Sequence, residues 1–325
     1  MNKTMNQPQS KPATGVYPVL PTPFDVHKAP DIAGLRTLVR YLVASGVDGM
    51  TYPGVASEFS QLSEQERAEL TAVVLDEAAG RAPVIAGVTS SDFDMTLRLA
   101  RVALKDGAVA LMIAAPPDRK TADEQIAYFT QIASELPGAA IMLQNVPPPV
   151  GAGLDPEVVV QILKAVPAIR YVKEEALPSG QRLSIILAAA PKSLAGVFGG
   201  AGGRYITDEL RRGACGTMPA IELAEVHVAL FAAHRKGEGS LARHIFTRML
   251  PVLNIQAVFR WSLTKYVLKR RGLIGSTMQR IAGPTLDALD EQDVDAFMDD
   301  LADLLLAQSA LNQVINRTEV LHGAA

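Results

Sequence analysis

The residues best placed to do chemistry lie in Ile169-Arg-Tyr-Val-Lys-Glu-Glu175. A lysine held in apolar surroundings gives up its proton more readily, and its free amine then attacks a ketone. The run is β-branched and aromatic and reads as a strand ending at Lys173. Helical spacing precedes it in Asp155–Ala165 and follows it in Gln181–Ala189. A lysine at the carboxyl end of a strand between two helices sits where α/β barrels gather their reactive groups. Side chains alternate along a strand, so Glu174 and Glu175 face opposite ways and Glu175 shares the face of Lys173.

The segments that must position this lysine repeat along the chain. Strands are predicted at Val16–Leu20, Gly46–Tyr52, Pro83–Val88, Ala108–Ile113, Ala139–Leu143, the lysine run, Leu194–Phe198 and Gly213–Met218. Helices are predicted at Asp31–Leu42, from Ser63 with a Ser63/Glu66 capping box, at Phe93–Lys105 and at Ala122–Glu135. Continuous apolar strands alternating with helices mean a parallel sheet covered on both faces, and eight near-even units favour closure into a (β/α)8 TIM barrel. Beyond about Gly239 the strand pattern stops, and Leu241–Leu253, Gln256–Arg271 and Glu291–Ala310 read as helices. The expected organisation is a disordered tail over 1–14, a barrel over 15–238, C-terminal helices packed on it over 239–310, and a frayed end over 311–325.

Composition narrows the function. The chain has 325 residues, 48% of them hydrophobic, and a formal charge of −3, which gives no bias towards nucleic acid or a membrane surface. A single cysteine, Cys215, excludes an internal disulfide framework, and its expected role is a small strand residue. The polar start, Met1–Ala13, has no apolar core of a signal peptide, and no run reaches membrane-spanning length, so a cytoplasmic protein is expected.

The strand ends collect Gly54-Val-Ala-Ser-Glu58, Ala115-Pro-Pro117, Gln144-Asn145, Lys173-Glu-Glu175, Gly199-Gly200 and Thr217 at one mouth. None of the five histidines is placed there, so neither a metal site nor a Ser-His-Asp arrangement is expected, and Lys173 is the best nucleophile available. Gly199-Gly-Ala-Gly-Gly203 lacks the G-x-G-x-x-G spacing and acidic partner of a dinucleotide loop and reads as a backbone turn facing substrate. Lys269-Arg-Arg271 reads as a solvated helix face, and Tyr52 as a packed mouth residue or a spare hydroxyl for proton relay.

Gly54-x-x-x-Glu58-x-x-x-Leu62, a proline after the fourth strand, Gln144-Asn-Val-Pro147-x-x-x-Gly151 and Val172-Lys-Glu174 together resemble the dihydrodipicolinate synthase / N-acetylneuraminate lyase family. The resemblance covers about Gly15 to Leu304. It implies an eight-stranded barrel without cofactor or metal, usually a homotetramer (a dimer of dimers), in which Lys173 forms a Schiff base with the C2 ketone of a small 2-keto acid. It also implies substrate contacts from Gly54, Val55, Ala56, Ser57, Glu58, Gly199 and Gly200.

The departures point further. The family's usual Gly-Thr-Thr-Gly-Glu is here Gly54-Val-Ala-Ser-Glu58, so the substrate carboxylate is left to the N–H groups of Val55 and Ala56. Gln144 stands where the family has a relay tyrosine, Pro116-Pro-Asp-Arg119 carries no second one, and the arginine that reads the synthase's aldehyde would fall near Pro149. An amide orients a group but moves no proton, so proton transfer is assigned to Glu175. Gln144 with Glu175 is similar to the branch that dehydrates 2-keto-3-deoxy sugar acids such as 2-keto-3-deoxyarabonate, and such a hydro-lyase is the expected activity. A pyruvate-dependent aldolase or synthase-like condensing enzyme is the alternative, and a non-catalytic keto-acid-binding barrel is a third reading.

Overall fold

A computed structural model describes residues 12–320 of the chain. Eight parallel strands, β1 (Gly15–Val16), β2 (Met50–Tyr52), β3 (Val84–Gly87), β4 (Ala110–Ala114), β5 (Ile141–Asn145), β6 (Ile169–Glu174), β7 (Gly196–Gly199) and β8 (Gly216–Thr217), run side by side in the order β1-β8-β7-β6-β5-β4-β3-β2. The ring closes through Val19, which bridges Thr51 on one side and Ala220 on the other. Helices α1 (Ile32–Ala44), α2 (Glu64–Ala78), α3 (Phe93–Lys105), α4 (Ala122–Glu135), α5 (Pro156–Ala165), α6 (Ser179–Ala189), α7 (Ile206–Arg211) and α8 (Ala224–Arg235) connect or follow the strands on the outside. This is the (β/α)8 TIM barrel that the alternation predicts.

Local chemistry sets the helix starts. Ser63 accepts from the Glu66 N–H and Glu66 accepts from the Ser63 N–H, forming the predicted capping box. Thr121 and Glu124 repeat that box, and Asp92 caps α3 by accepting from Asp94 and Met95. The strands are buried on both faces, and their residues divide by parity between two cores. Inside the barrel, Tyr17, Ile85, Met112, Met142, Tyr171 and Phe198 pack into a plug, while Leu111, Ile113, Leu143 and Val172 turn outward onto the helices. Parity therefore delivers Gln144 and Lys173 to the barrel interior, two residues beyond Met142 and Tyr171.

The C-terminal helices are α9 (Gly239–Phe259), α10 (Trp261–Arg270), α11 (Ala288–Asp299) and α12 (Gln308–Val320). The helices expected over Leu241–Leu253 and Gln256–Arg271 divide later than expected: α9 runs on to Phe259, and the break falls at Arg260, whose φ of 40° no helix accommodates. The helix expected over Glu291–Ala310 starts earlier, ends at Asp299, and gives way to a short turn at Ala302–Leu304. Where fraying was expected from 311 onward, α12 continues to Val320 with Leu311 and Val314 buried; 321–325 lie outside the described residues. Residues 1–11 of the expected tail likewise lie outside them, but Ala13 and Thr14 are tied down. The Ala13 N–H donates to the Tyr171 hydroxyl at 2.9 Å and the Thr14 hydroxyl to the Cys215 carbonyl at 2.6 Å.

Two buried charge clusters and one partly exposed ion pair dock the extension. Lys265 and Glu58 meet at 2.5 Å, both fully buried. Arg271 forms a bidentate contact with Glu225 and donates to Tyr41 at 2.9 Å, and Arg280 grips Glu66 at 2.7 Å. Arg271 is thus buried and paired, not part of the solvated face that Lys269-Arg-Arg271 suggested.

Candidate active site

Lys173 ends the barrel-facing row of β6, with Gln144 beside it in register on β5 and Phe198 on β7. The chain keeps its extended course one residue past the strand, since the Glu175 N–H donates to the Asn145 carbonyl at 3.0 Å. Glu175 therefore lands on the same face as Lys173, and its Oε1 lies 2.9 Å from the lysine Nζ. Its Oε2 accepts from the Gln144 amide at 2.8 Å. Lys173, singled out from its place at a strand end, Glu175, from strand alternation, and Gln144, from the family resemblance, are brought into one chain of contacts.

Burial pushes the Glu175 carboxyl up, but the Lys173 charge and the Gln144 amide outweigh it and hold the group below its ordinary value. Glu175 rests as a carboxylate, which gives the Lys173 amine a hydrogen-bond acceptor at 2.9 Å. Glu174 faces the opposite way. It accepts from the Asn145 amide, the Ala176 N–H and Arg182, while Asn145 also holds both polar backbone atoms of Leu154. That cluster fixes the loop between β5 and α5, whose Val146–Val150 stretch forms one wall of a cavity over Lys173.

The cavity measures about 360 Å³ and is lined by Lys173, Glu175, Val55, Ala56, the Val146–Val150 loop, Arg204, Tyr205 and, from the extension, Gln256, Arg260, Trp261 and Thr264. The size suits a small organic acid. The N–H groups of Val55 and Ala56 open the short turn at Val55–Ser57 and take no part in its internal bonding. Trp261 donates its indole N–H to the Val55 carbonyl at 2.9 Å, so α10 braces that turn.

The other residues expected to touch substrate have different tasks. The Ser57 hydroxyl accepts from the Gly54 N–H and donates to the Leu20 carbonyl, which shapes the turn rather than the cavity. Glu58 points away from the cavity. Its carboxylate takes Lys265 and the N–H groups of Arg280 and Ile281, at 2.7 and 2.8 Å, and so anchors the extension. Gly54 is small because a Cβ there would stand 2.7 Å from Val19. Gly199 leaves room for Glu209, and Gly200 for Glu175, with a Cβ on Gly200 only 2.4 Å from the Glu175 Cγ. The last of these serves the site indirectly, by letting Glu175 lie flat against the loop. Tyr52 is fully buried, bonds Thr22 at 2.9 Å, and does not line the cavity.

Sequence reasoning missed Arg204, Gln256, Arg260, Trp261 and Thr264. All but Arg204 come from helices that the strand–helix count left outside the barrel, and Arg204 follows the glycine turn that was noticed for its backbone only. His227 sits behind that turn, with burial pushing its pKa down to about 4.

Residues 12–302 match the dihydrodipicolinate synthetase family. The chain is 30% identical over 294 residues to the 4-hydroxy-tetrahydrodipicolinate synthase of Methanospirillum hungatei, spanning 85% of this chain and 93% of that one. It is 30% identical over 298 residues to the synthase of Acidothermus cellulolyticus, spanning 85% and 88%. Among solved structures, dihydrodipicolinate synthase from Rhodopseudomonas palustris superposes with a TM-score of 0.82 at 27% identity, covering 89% of this chain and 98% of that one. These relatives carry the synthase name, and none of the three is named as a sugar-acid dehydratase. With a family match over residues 12–302, a shared barrel and its own strand-end lysine, the chain belongs to the dihydrodipicolinate synthetase family.

Proposed function

We propose that the protein is a Schiff-base lyase in which Lys173 captures a 2-keto acid and a carbon–carbon bond is then made or broken at C3. The observation that carries this reading is the contact chain Lys173–Glu175–Gln144, in which Lys173 and Glu175 line the cavity and Gln144 holds Glu175 from outside that lining. Lys173 passes a proton to Glu175 and its free amine adds to the C2 carbonyl. Glu175 returns that proton to the carbinolamine hydroxyl, which leaves as water and gives the iminium. The Glu175 carboxylate then removes a C3 proton, and the resulting enamine attacks an aldehyde; run backwards, the sequence is a retro-aldol cleavage. The N–H groups of Val55 and Ala56 receive the keto acid's carboxylate. The synthase names of the relatives favour this reading over dehydration.

A second reading rests on Gln144 itself. Its amide already holds the Glu175 carboxylate, and the same pair would orient a C4 hydroxyl and expel it as water, dehydrating a 2-keto-3-deoxy sugar acid. Product analysis decides between them. Pyruvate released from a 4-hydroxy-2-keto acid, or consumed with an aldehyde, supports the first; a semialdehyde formed from 2-keto-3-deoxyarabonate without pyruvate replaces it with the second.

A further inference from the structure

Three cations and a single carboxylate line the cavity: Lys173, Arg204 and Arg260 against Glu175. Lys173 is matched by Glu175. The two guanidiniums are not matched: among the described residues neither forms an ion pair with a carboxylate, although the other arginines near the extension do. The Arg204 Nη1 donates to the Gln256 side-chain oxygen at 2.7 Å, and Arg260 lies over the ring of Trp261, 5.7 Å from its centroid. These contacts orient both groups without neutralising them. Glu222, whose charge also acts on Arg204, is buried and accepts from the Thr264 hydroxyl at 3.0 Å, and burial pushes its pKa up to about 7.

The backbone is built around this pair. Arg260 adopts φ 40°, a left-handed conformation that costs a non-glycine residue energy, and it does so at the break that turns its side chain into the cavity between α9 and α10. Gly202, at φ 70°, leaves just enough space beside the turn; a Cβ there would lie 3.1 Å from the Gln256 oxygen and 3.2 Å from the Arg204 Nη1. Across the cavity, Val146-Pro-Pro-Pro-Val150 presents no charge at all.

We infer that Arg204 and Arg260 form a second anion-binding subsite, and that the fragment joined to or released from the keto acid carries a carboxylate at its far end. The inference rests on the reading of Lys173 as the imine-forming residue. A keto acid's own carboxylate, held at Val55 and Ala56, leaves both guanidiniums free, and a second carboxylate completes the charge balance. A fork-shaped guanidinium meets a carboxylate through paired N–H donors. A polyol end offers no such match, so the subsite also favours the carbon–carbon reading with an acidic aldehyde over a neutral sugar tail.

The test compares two keto acids of equal chain length, 2-oxoglutarate and 2-oxopentanoate, by borohydride trapping on the full chain. The half-saturating concentration should be at least about tenfold lower for the diacid, as befits a charge-assisted contact in a partly buried site. Arg260→Gln and, separately, Arg204→Gln should each bring that ratio towards one, and added salt should shrink it in the unaltered protein. Equal half-saturation in the unaltered protein, or a ratio that survives both substitutions, overturns the inference. Glutarate, which has no ketone, separates this from the fate of Lys173. It should raise the melting temperature of the unaltered protein more than of either variant, whether or not any imine is trapped. No such difference overturns the subsite even where trapping succeeds, and trapping that fails while glutarate binds removes only the imine.

Discussion

Lys265→Met is expected to loosen the C-terminal extension and with it one wall of the cavity. Lys265 and Glu58 are both fully buried and meet at 2.5 Å, and the lysine also donates to the Met278 carbonyl and lies 4.3 Å from the Phe24 ring centroid. Removing the ammonium leaves the Glu58 carboxylate buried with two backbone N–H donors and no cation in contact. Breaking a buried pair from one side costs about 3–5 kcal/mol. In a domain of this size that is a fall in melting temperature of roughly 5–15 °C. Adding Glu58→Gln removes the stranded charge while keeping an oxygen for the Arg280 and Ile281 N–H groups, so the double variant should be more stable than Lys265→Met alone. Urea unfolding of the single and double variants should give a coupling of about 2 kcal/mol or more, the span expected of residues in direct contact. Additive costs, or a loss under about 1 kcal/mol for Lys265→Met, would refute the idea that this pair latches the extension. Because α10 carries Trp261 and Thr264 into the cavity, the single variant should also bind keto acids more weakly.

Glu175→Gln keeps the shape but removes the base, so turnover should fall roughly 10²–10⁴-fold and imine formation at Lys173 should slow with it; full activity would pass the role of base to another group. Gln144→Leu deletes a hydrogen bond that holds the Glu175 pKa down, so the acid limb of the pH–rate profile should move to higher pH, and an unmoved limb contradicts the proposed contact. Glu209 is buried, one of its oxygens lacks a partner, and burial pushes its pKa up to about 7. Its neutral form is the one that folding favours, so the stability it contributes is complete below the unfolded value near 4.5 and is lost as pH rises towards 7. Glu209→Gln should therefore gain stability relative to the parent chain across that interval, by up to about 3 kcal/mol, and a pH-independent difference in urea midpoints would refute it. We also propose a homotetramer, since Val258 remains 58% exposed on α9, and light scattering at micromolar concentration should give four times the chain mass.

The barrel was legible because its signal is local: apolar strand runs alternate with helical spacing eight times, and each can be read without knowing what it packs against. The Lys173–Glu175 pairing was legible for the same reason, since strand parity needs only the count between two residues. What escaped depended on contacts between distant parts of the chain. Glu58 followed a glycine turn at a strand end and looked like a substrate contact, but its partner lies 207 residues away. The break at Arg260 carries no glycine or proline to announce it, so the division between the two helices was read near residues 254–255 instead, and the residues that cap the cavity were lost with it. The glycines at 199 and 200 were read for their backbone, whereas their lack of a side chain makes room for Glu209 and Glu175. Gln144 was read as the mark of a dehydratase, while the synthase relatives favour carbon–carbon chemistry, because one substituted side chain changes a reaction without changing the barrel that carries it.

The central claim is that Lys173 is the nucleophile. Borohydride reduction of the protein with pyruvate, followed by peptide mass mapping, should add the mass of the reduced keto acid to the peptide containing Lys173, and Lys173→Arg should abolish the adduct. An adduct on Lys120 or Lys105 instead, or none with any of a panel of 2-keto acids, would contradict it.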